Sequence, residues 1–217
     1  MDAYRIVIGN KAYSSWSLRP WLALRHVGVP FEEEVIPLYA DGSKQRILAH
    51  APSGKVPALR HGDVTVWDSL AICEYLAERH PTAGLWPWDP AARALARSVS
   101  AEMHSGFQDL RRNLFMDLKR TIDAPERRAA AAADIARVQA IWRDCRARYG
   151  EDGPFLFGRF SIADCMYAPV CTRFTTWGVD VDADARAYMD AVFALPAMRD
   201  WIAAAKDEPW TIDWLTR

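Results

Sequence analysis

Residues 10–21 read NKAYSSWSLRPW and follow YRIVIG, residues 4–9, an apolar run with the length of a buried strand. Pro20 lacks an N–H and suits a helix within its first turn, so a helix is expected to begin near Trp16 or Ser17, with Ser14 and Ser15 just ahead of it. A helix start concentrates unpaired N–H groups and the positive end of the helix dipole. Serine there is most often an N-cap. It can also donate its hydroxyl hydrogen to a thiolate or another anion held at the same place, and the hydroxyls of Ser14, Ser15 and Ser17 exceed what one cap needs. A serine nucleophile is disfavoured, because no G-x-S-x-G surrounds these residues and no histidine can be tied to them.

Outward from this stretch, short apolar runs alternate with helical patterns: a helix through WLALRHVG, then FEEEVIPL, a short helix around SKQRILAHA, PALRH, TVW, and the helix SLAICEYLAERH. That alternation predicts an α/β unit with crossover helices, in the order βαβαββα. PTAGLWPWDP, residues 81–90, carries three prolines and a glycine after a helix and reads as a linker. Beyond it only helices are expected: 91–119, 125–149, 162–177, 185–195 and 196–205. The expected domains are residues 1–82 and an all-α unit over 90–217.

With 51% hydrophobic and 25% charged residues, the chain can bury a large core. A formal net charge of -1 supplies no basic field for a phosphate backbone, which argues against nucleic acid. No apolar run approaches the roughly 20 residues that span a bilayer, and the first residues lack a signal-peptide pattern, so a cytoplasmic protein with no membrane partner is expected. The four cysteines, Cys73, Cys145, Cys165 and Cys171, have no zinc-ligand spacing; no metal site is expected, and a free buried thiol is the default.

A second site lies in GKVPAL, residues 54–59, followed by VWDSLAICEYL, residues 66–76. Pro57 marks a strand start or edge. Its bond to Val56 is either an ordinary turn or a cis peptide that exposes the Val56 backbone to a peptide-like ligand. Asp68 and Ser69 stand directly before a helix, where one of them caps it. The pair also suits an amino acid group, with the carboxylate on an ammonium and the hydroxyl and free N–H groups on a carboxylate.

The order of these segments resembles the cytosolic glutathione transferases over nearly the whole chain. SSWSLR is similar to the S-S-C-x-x-R motif of the zeta class, to which maleylacetoacetate isomerase belongs, with Trp16 in place of the cysteine. GRFSIADCMYAPV, residues 158–170, is similar to the segment that opens a buried helix of the family's second domain; its Ser161 and Asp164 form an S-x-x-D capping box. The resemblance implies a thioredoxin-like N-terminal domain that binds glutathione and a helical C-terminal domain. It implies that Ser14, or its neighbour Ser15, hydrogen-bonds the glutathione sulfur, that Val56 beside a cis Pro57 pairs with the cysteinyl part, that Lys55 meets a ligand carboxylate, and that Asp68 and Ser69 hold the γ-glutamyl end. It also implies a homodimer and a small electrophile as second substrate. Met103, Phe107 and Arg111, one turn apart on the expected 91–119 helix, form an electrophile-pocket candidate, though apolar residues at that spacing are usually just core. His104 and Arg112 read as solvated or dimer-facing. Arg173 falls one turn before the position where the zeta class carries a carboxylate-binding arginine, which departs from the isomerase pattern. Trp86, Trp88, Trp210 and Trp214 are expected to pack the two domains together. Transfer to an electrophile is thus the leading implied activity, beside a glutathione-dependent isomerase and a non-catalytic binding protein.

Overall fold

The computed structural model describes residues 3–212. Its first half builds a sheet from β1 (Tyr4–Ile8), β2 (Phe31–Val35), β3 (Ala58–His61) and β4 (Val64–Trp67), with α1 (Ser15–Val27), α2 (Ser43–Leu48) and α3 (Ser69–Arg79) interleaved. The strand order is β2-β1-β3-β4. β1 and β2 run parallel, with Tyr4 opposite Phe31, whereas β1–β3 and β3–β4 are antiparallel, with Ile6 opposite Leu59. The βαβαββα order expected from the alternation is therefore present. The alternation of β1 explains its central position: Ile6 and Ile8 enter the main core, and Val7 enters a smaller cluster with Ile36, Ile47 and Ala58.

Helices make up the second half: α4 (Pro90–Ser105), α5 (Gln108–Asn113), α6 (Pro125–Ala130), α7 (Ala132–Tyr149), α8 (Ile162–Thr176), α9 (Ala183–Ala194) and α10 (Pro196–Asp207). A 3₁₀ turn, Pro81–Ala83, follows α3. Every residue of α8 except Thr175 is buried, and α8 packs against both α1 and α4, so one core runs through both halves. Its start is fixed by Asp164, whose Oδ2 accepts from the Ser161 N–H at 2.8 Å and the Ser161 hydroxyl at 3.0 Å while Oδ1 accepts from the Leu156 N–H at 3.1 Å. Among the described residues no helix is long and apolar enough to cross a membrane.

Four expectations need correction. α1 begins at Ser15, so Pro20 lies in its second turn. The proline costs one internal bond, to the Trp16 carbonyl, and burial of nine α1 residues outweighs it. The expected 91–119 helix breaks after Ser105. Gly106 is extended, a Cβ there would lie 2.9 Å from the Glu102 carbonyl oxygen, and Phe107 takes φ 61° to start α5. The 125–149 helix is interrupted at Ala131, despite the surrounding alanines. Finally, Trp88 and Trp210 are exposed and only Trp86 is buried, its Nε1 donating to Glu74 at 3.0 Å; Trp214 lies outside the described residues. Trp21 and Trp201, with ring centroids 5.1 Å apart, pack α1 against α10 instead.

Candidate functional site

The loop joining β1 to α1 is tied down before any ligand enters. The Asn10 carbonyl accepts from Ser14 N–H at 2.8 Å, and its side-chain oxygen accepts from Leu38 N–H at 2.7 Å. The Glu208 carboxylate, just past α10, accepts from the N–H groups of Lys11 and Ala12 at 2.7 and 3.1 Å. Ser14 is the N-cap of α1, its Oγ accepting from Ser17 N–H at 3.3 Å. The two hydroxyls lie 2.7 Å apart, and Ser17 Oγ accepts from Gly9 N–H at 3.1 Å. With Ser17 donating to Ser14, the Ser14 hydrogen is left free for the adjoining cleft.

Ser15 is engaged differently. Its Oγ accepts from Arg173 Nη2 at 3.1 Å, while Arg173 Nη1 donates to the Leu114 carbonyl at 2.6 Å. Burial, reinforced by Arg111, lowers the pKa of the Arg173 guanidinium. Trp16 lies between two further guanidiniums, Arg19 at 4.3 Å and Arg111 at 4.6 Å from the ring centre. Arg19 is fully buried, Nε and Nη1 have no hydrogen-bond partner, and burial, then Arg111 and Arg173, push its pKa well down. Three guanidiniums therefore gather around the start of α1.

Two clefts meet here, sharing Trp16, Lys55 and Val56. One, about 600 Å³, holds Ser14 and Ser15 with Arg173 between apolar walls from Leu38, Phe115, Met116 and Ile212. The other, about 570 Å³, holds Pro57, Trp67, Asp68, Ser69 and His104. The Val56–Pro57 peptide is cis, and Val56 precedes the first paired residue of β3, so its backbone stands outside the ladder. Asp68 caps α3, with Oδ1 accepting from Leu70 N–H at 2.9 Å and Ala71 N–H at 3.2 Å, at a left-handed φ of 79°. The Ser69 hydroxyl is buried and unpartnered. The clefts thus bring together every residue expected for the sulfur, cysteinyl and γ-glutamyl ends.

The electrophile-pocket candidates are placed elsewhere. Met103 and Phe107 are core residues, and Arg111 turns back to the Gly106 carbonyl at 3.0 Å and to the Met103 carbonyl. None of the three lines either cleft. The break at Gly106 removes the continuous helix face on which they were grouped. Arg173 and His104 were missed as site residues. His104 Nε2 meets Asp68 Oδ2 at 3.1 Å rather than solvent, and only its position one residue from the Met103 stripe hinted at the cleft.

A thioredoxin-like sheet carrying a cap-lined cleft is joined to a helical second half. The family profile described as glutathione S-transferase, N-terminal domain, matches residues 13–79, and the one described as glutathione S-transferase, C-terminal domain, matches residues 125–204. The chain is 30% identical over 187 residues to the maleylacetoacetate isomerase of Rattus norvegicus, covering 83% of each chain. It is 38% identical over 96 residues to a probable maleylacetoacetate isomerase of Caenorhabditis elegans, covering 44% of each. A holo structure of maleyl pyruvate isomerase, a bacterial zeta-class glutathione transferase, shares the fold at a TM-score of 0.74 and 24% identity, over 95% of this chain and 100% of that one. This protein belongs to the glutathione S-transferase family, as the order of its motifs implied.

Proposed function

We propose that the protein binds glutathione across both clefts and activates it as a thiolate for reaction with a small electrophile. The observation that carries this is the buried, unpartnered Ser69 hydroxyl beside the Asp68 carboxylate, in a cleft continuous with the one that holds Ser14. Asp68 takes the γ-glutamyl ammonium, the Ser69 hydroxyl and N–H take its carboxylate, Val56 pairs with the cysteinyl backbone, and Lys55 meets a carboxylate. The sulfur then reaches Ser14. A thiol of pKa about 8.5 is mostly protonated at neutral pH; the free hydroxyl hydrogen and the guanidiniums near α1 stabilise the ionised form. The thiolate attacks the electrophile, and the displaced group leaves with the bonding pair.

A second reading is favoured by Arg173. A guanidinium in the wall of the sulfur cleft suits an electrophile that carries a carboxylate, and the rat and nematode relatives are isomerases. In that reaction the thiolate adds to one carbon of a double bond, the resulting single bond rotates, and elimination returns the thiolate. Turnover of an aryl halide, a hydroperoxide and maleylacetone, each with and without glutathione, separates the readings. Glutathione-dependent loss of the aryl halide supports transfer, preferential conversion of maleylacetone supports isomerisation, and no turnover with measurable glutathione binding leaves a binding protein. We also propose a cytoplasmic location and a homodimer, the latter supported by the exposed Val64 on the β4 edge strand. Light scattering is expected to give twice the chain mass of 24.5 kDa.

A further inference from the structure

His104, on α4, faces the N-cap of α3. A carboxylate only accepts hydrogen bonds, so the 3.1 Å contact assigns a hydrogen to Nε2, and in the neutral ring Nδ1 is then a bare acceptor. Nδ1 is buried and has no partner. The ring sits edge-on to Trp16 at 5.3 Å, and the charged groups acting on it are Asp68 from the start of α3, Arg19 from α1 and Arg111 from α5. Asp68 Oδ1 is occupied by the α3 cap, so Oδ2 is the oxygen that His104 shares with whatever enters the cleft.

We propose that His104 is a positioning residue that makes glutathione binding compete with a proton: the neutral ring steers the Asp68 carboxylate toward the ligand's ammonium, and the protonated ring repels that ammonium and takes its place. The inference rests on Asp68 being the ammonium anchor. Burial is the largest influence on His104 and lowers its pKa, as do Arg19 and Arg111, while Asp68 alone opposes them. The ring is therefore neutral at pH 7 in the empty protein. The ammonium shares Oδ2 with the ring and is thus nearer to it than the γ-glutamyl carboxylate at Ser69, so it outweighs that anion and drives the proton off further, and by linkage a proton on His104 weakens the ammonium to the same degree.

The test uses S-methylglutathione, which keeps both ends of the tripeptide and has no thiol to titrate. Calorimetry on the full chain is expected to show affinity weaker at pH 5.5 than at pH 7.5 and still falling below pH 5.5, toward a limit of about fivefold once His104 is protonated in both free and bound protein, the size expected of two partly screened cations a few ångströms apart. His104→Gln keeps an N–H for Asp68 and cannot charge, so its ratio between the two pH values should stay within about twofold. In the unaltered protein, the His104 ring followed by NMR should titrate at lower pH when saturated with S-methylglutathione. It should not move with the analogue in which the γ-glutamyl amino group is replaced by hydrogen. A flat pH profile, an unmoved His104 titration, or a pH ratio retained in His104→Gln overturns the proposal. If Asp68→Asn weakens binding in those cases, the anchor stands without the histidine. If Asp68→Asn and the des-amino analogue both bind as tightly as the reference pair, the anchor itself is wrong. The NMR arm needs no variant, so misfolding of His104→Gln cannot shelter the idea.

Discussion

The starts of α1 and α3 are the same device put to opposite ends. Each presents a side-chain cap and the first-turn N–H groups it holds to a cleft, but the cap of α1 is the neutral Ser14 and that of α3 is the carboxylate Asp68. Around Ser14 stand Arg19, Arg111 and Arg173, none of them in an ion pair with a carboxylate among the described residues. Around Asp68 stand a neutral imidazole and an unpartnered hydroxyl. On the proposed reading, one helix start suits a lone anion and the other a group with both charges. The cap residue decides which charge the helix dipole serves.

The comparison can be broken at the α3 end first, where the largest effect is expected. An Asp68→Ala, Ser69→Ala double variant removes two charge-assisted contacts of about 1.5–3 kcal/mol each, so calorimetry should show glutathione affinity falling by roughly a hundredfold or more with the fold intact. Unchanged affinity would sink the assignment. At the α1 end, Ser14→Ala should lower kcat/KM by roughly ten- to a hundredfold, raise the pKa of the bound thiol and move the alkaline rise of the pH profile upward, with glutathione affinity little changed. If Ser15→Ala moves the thiol titration instead, the two serines exchange roles. Arg173→Met sharpens the contrast: conversion of a carboxylate-bearing electrophile should suffer about tenfold more than that of a neutral aryl halide, one charged hydrogen bond being at stake. Equal losses would mean that Arg173 acts only on the protein. The smallest catalytic effect is expected for Ser15→Ala, whose main cost is a buried Arg173 nitrogen left without its acceptor, about 1–3 kcal/mol of stability read from denaturant midpoints.

These two helix starts were the most legible part of the sequence, because a cap is a local event. Ser14 and Asp68 sit within three residues of the groups they serve, so residue type and position suffice to place them. The partners that give each site its charge were not legible. Arg173 is 158 positions from Ser15, and His104 comes to Asp68 from α4, across a contact that no periodicity records. The helix break at 106–107 was hidden for a related reason. Leu110 and Leu114 continue an apolar rhythm across it, and the left-handed Phe107 is stabilised by its own burial and by Arg111 folding back onto two carbonyls, which are tertiary facts. Ser15 shows the same limit: it was the alternative to Ser14 for the sulfur, and its hydroxyl accepts from a distant guanidinium.

The four cysteines are all buried, and burial pushes the thiol of Cys145 up to about 12 and those of Cys73, Cys165 and Cys171 up as well. At the start of α1, where the zeta pattern places a cysteine, stands an indole. On the proposed transfer reading, an enzyme that draws an electrophile toward an activated sulfur risks being alkylated itself, and the thiol offered is the ligand's and leaves with the product. The protein's own thiols stay protonated inside its core.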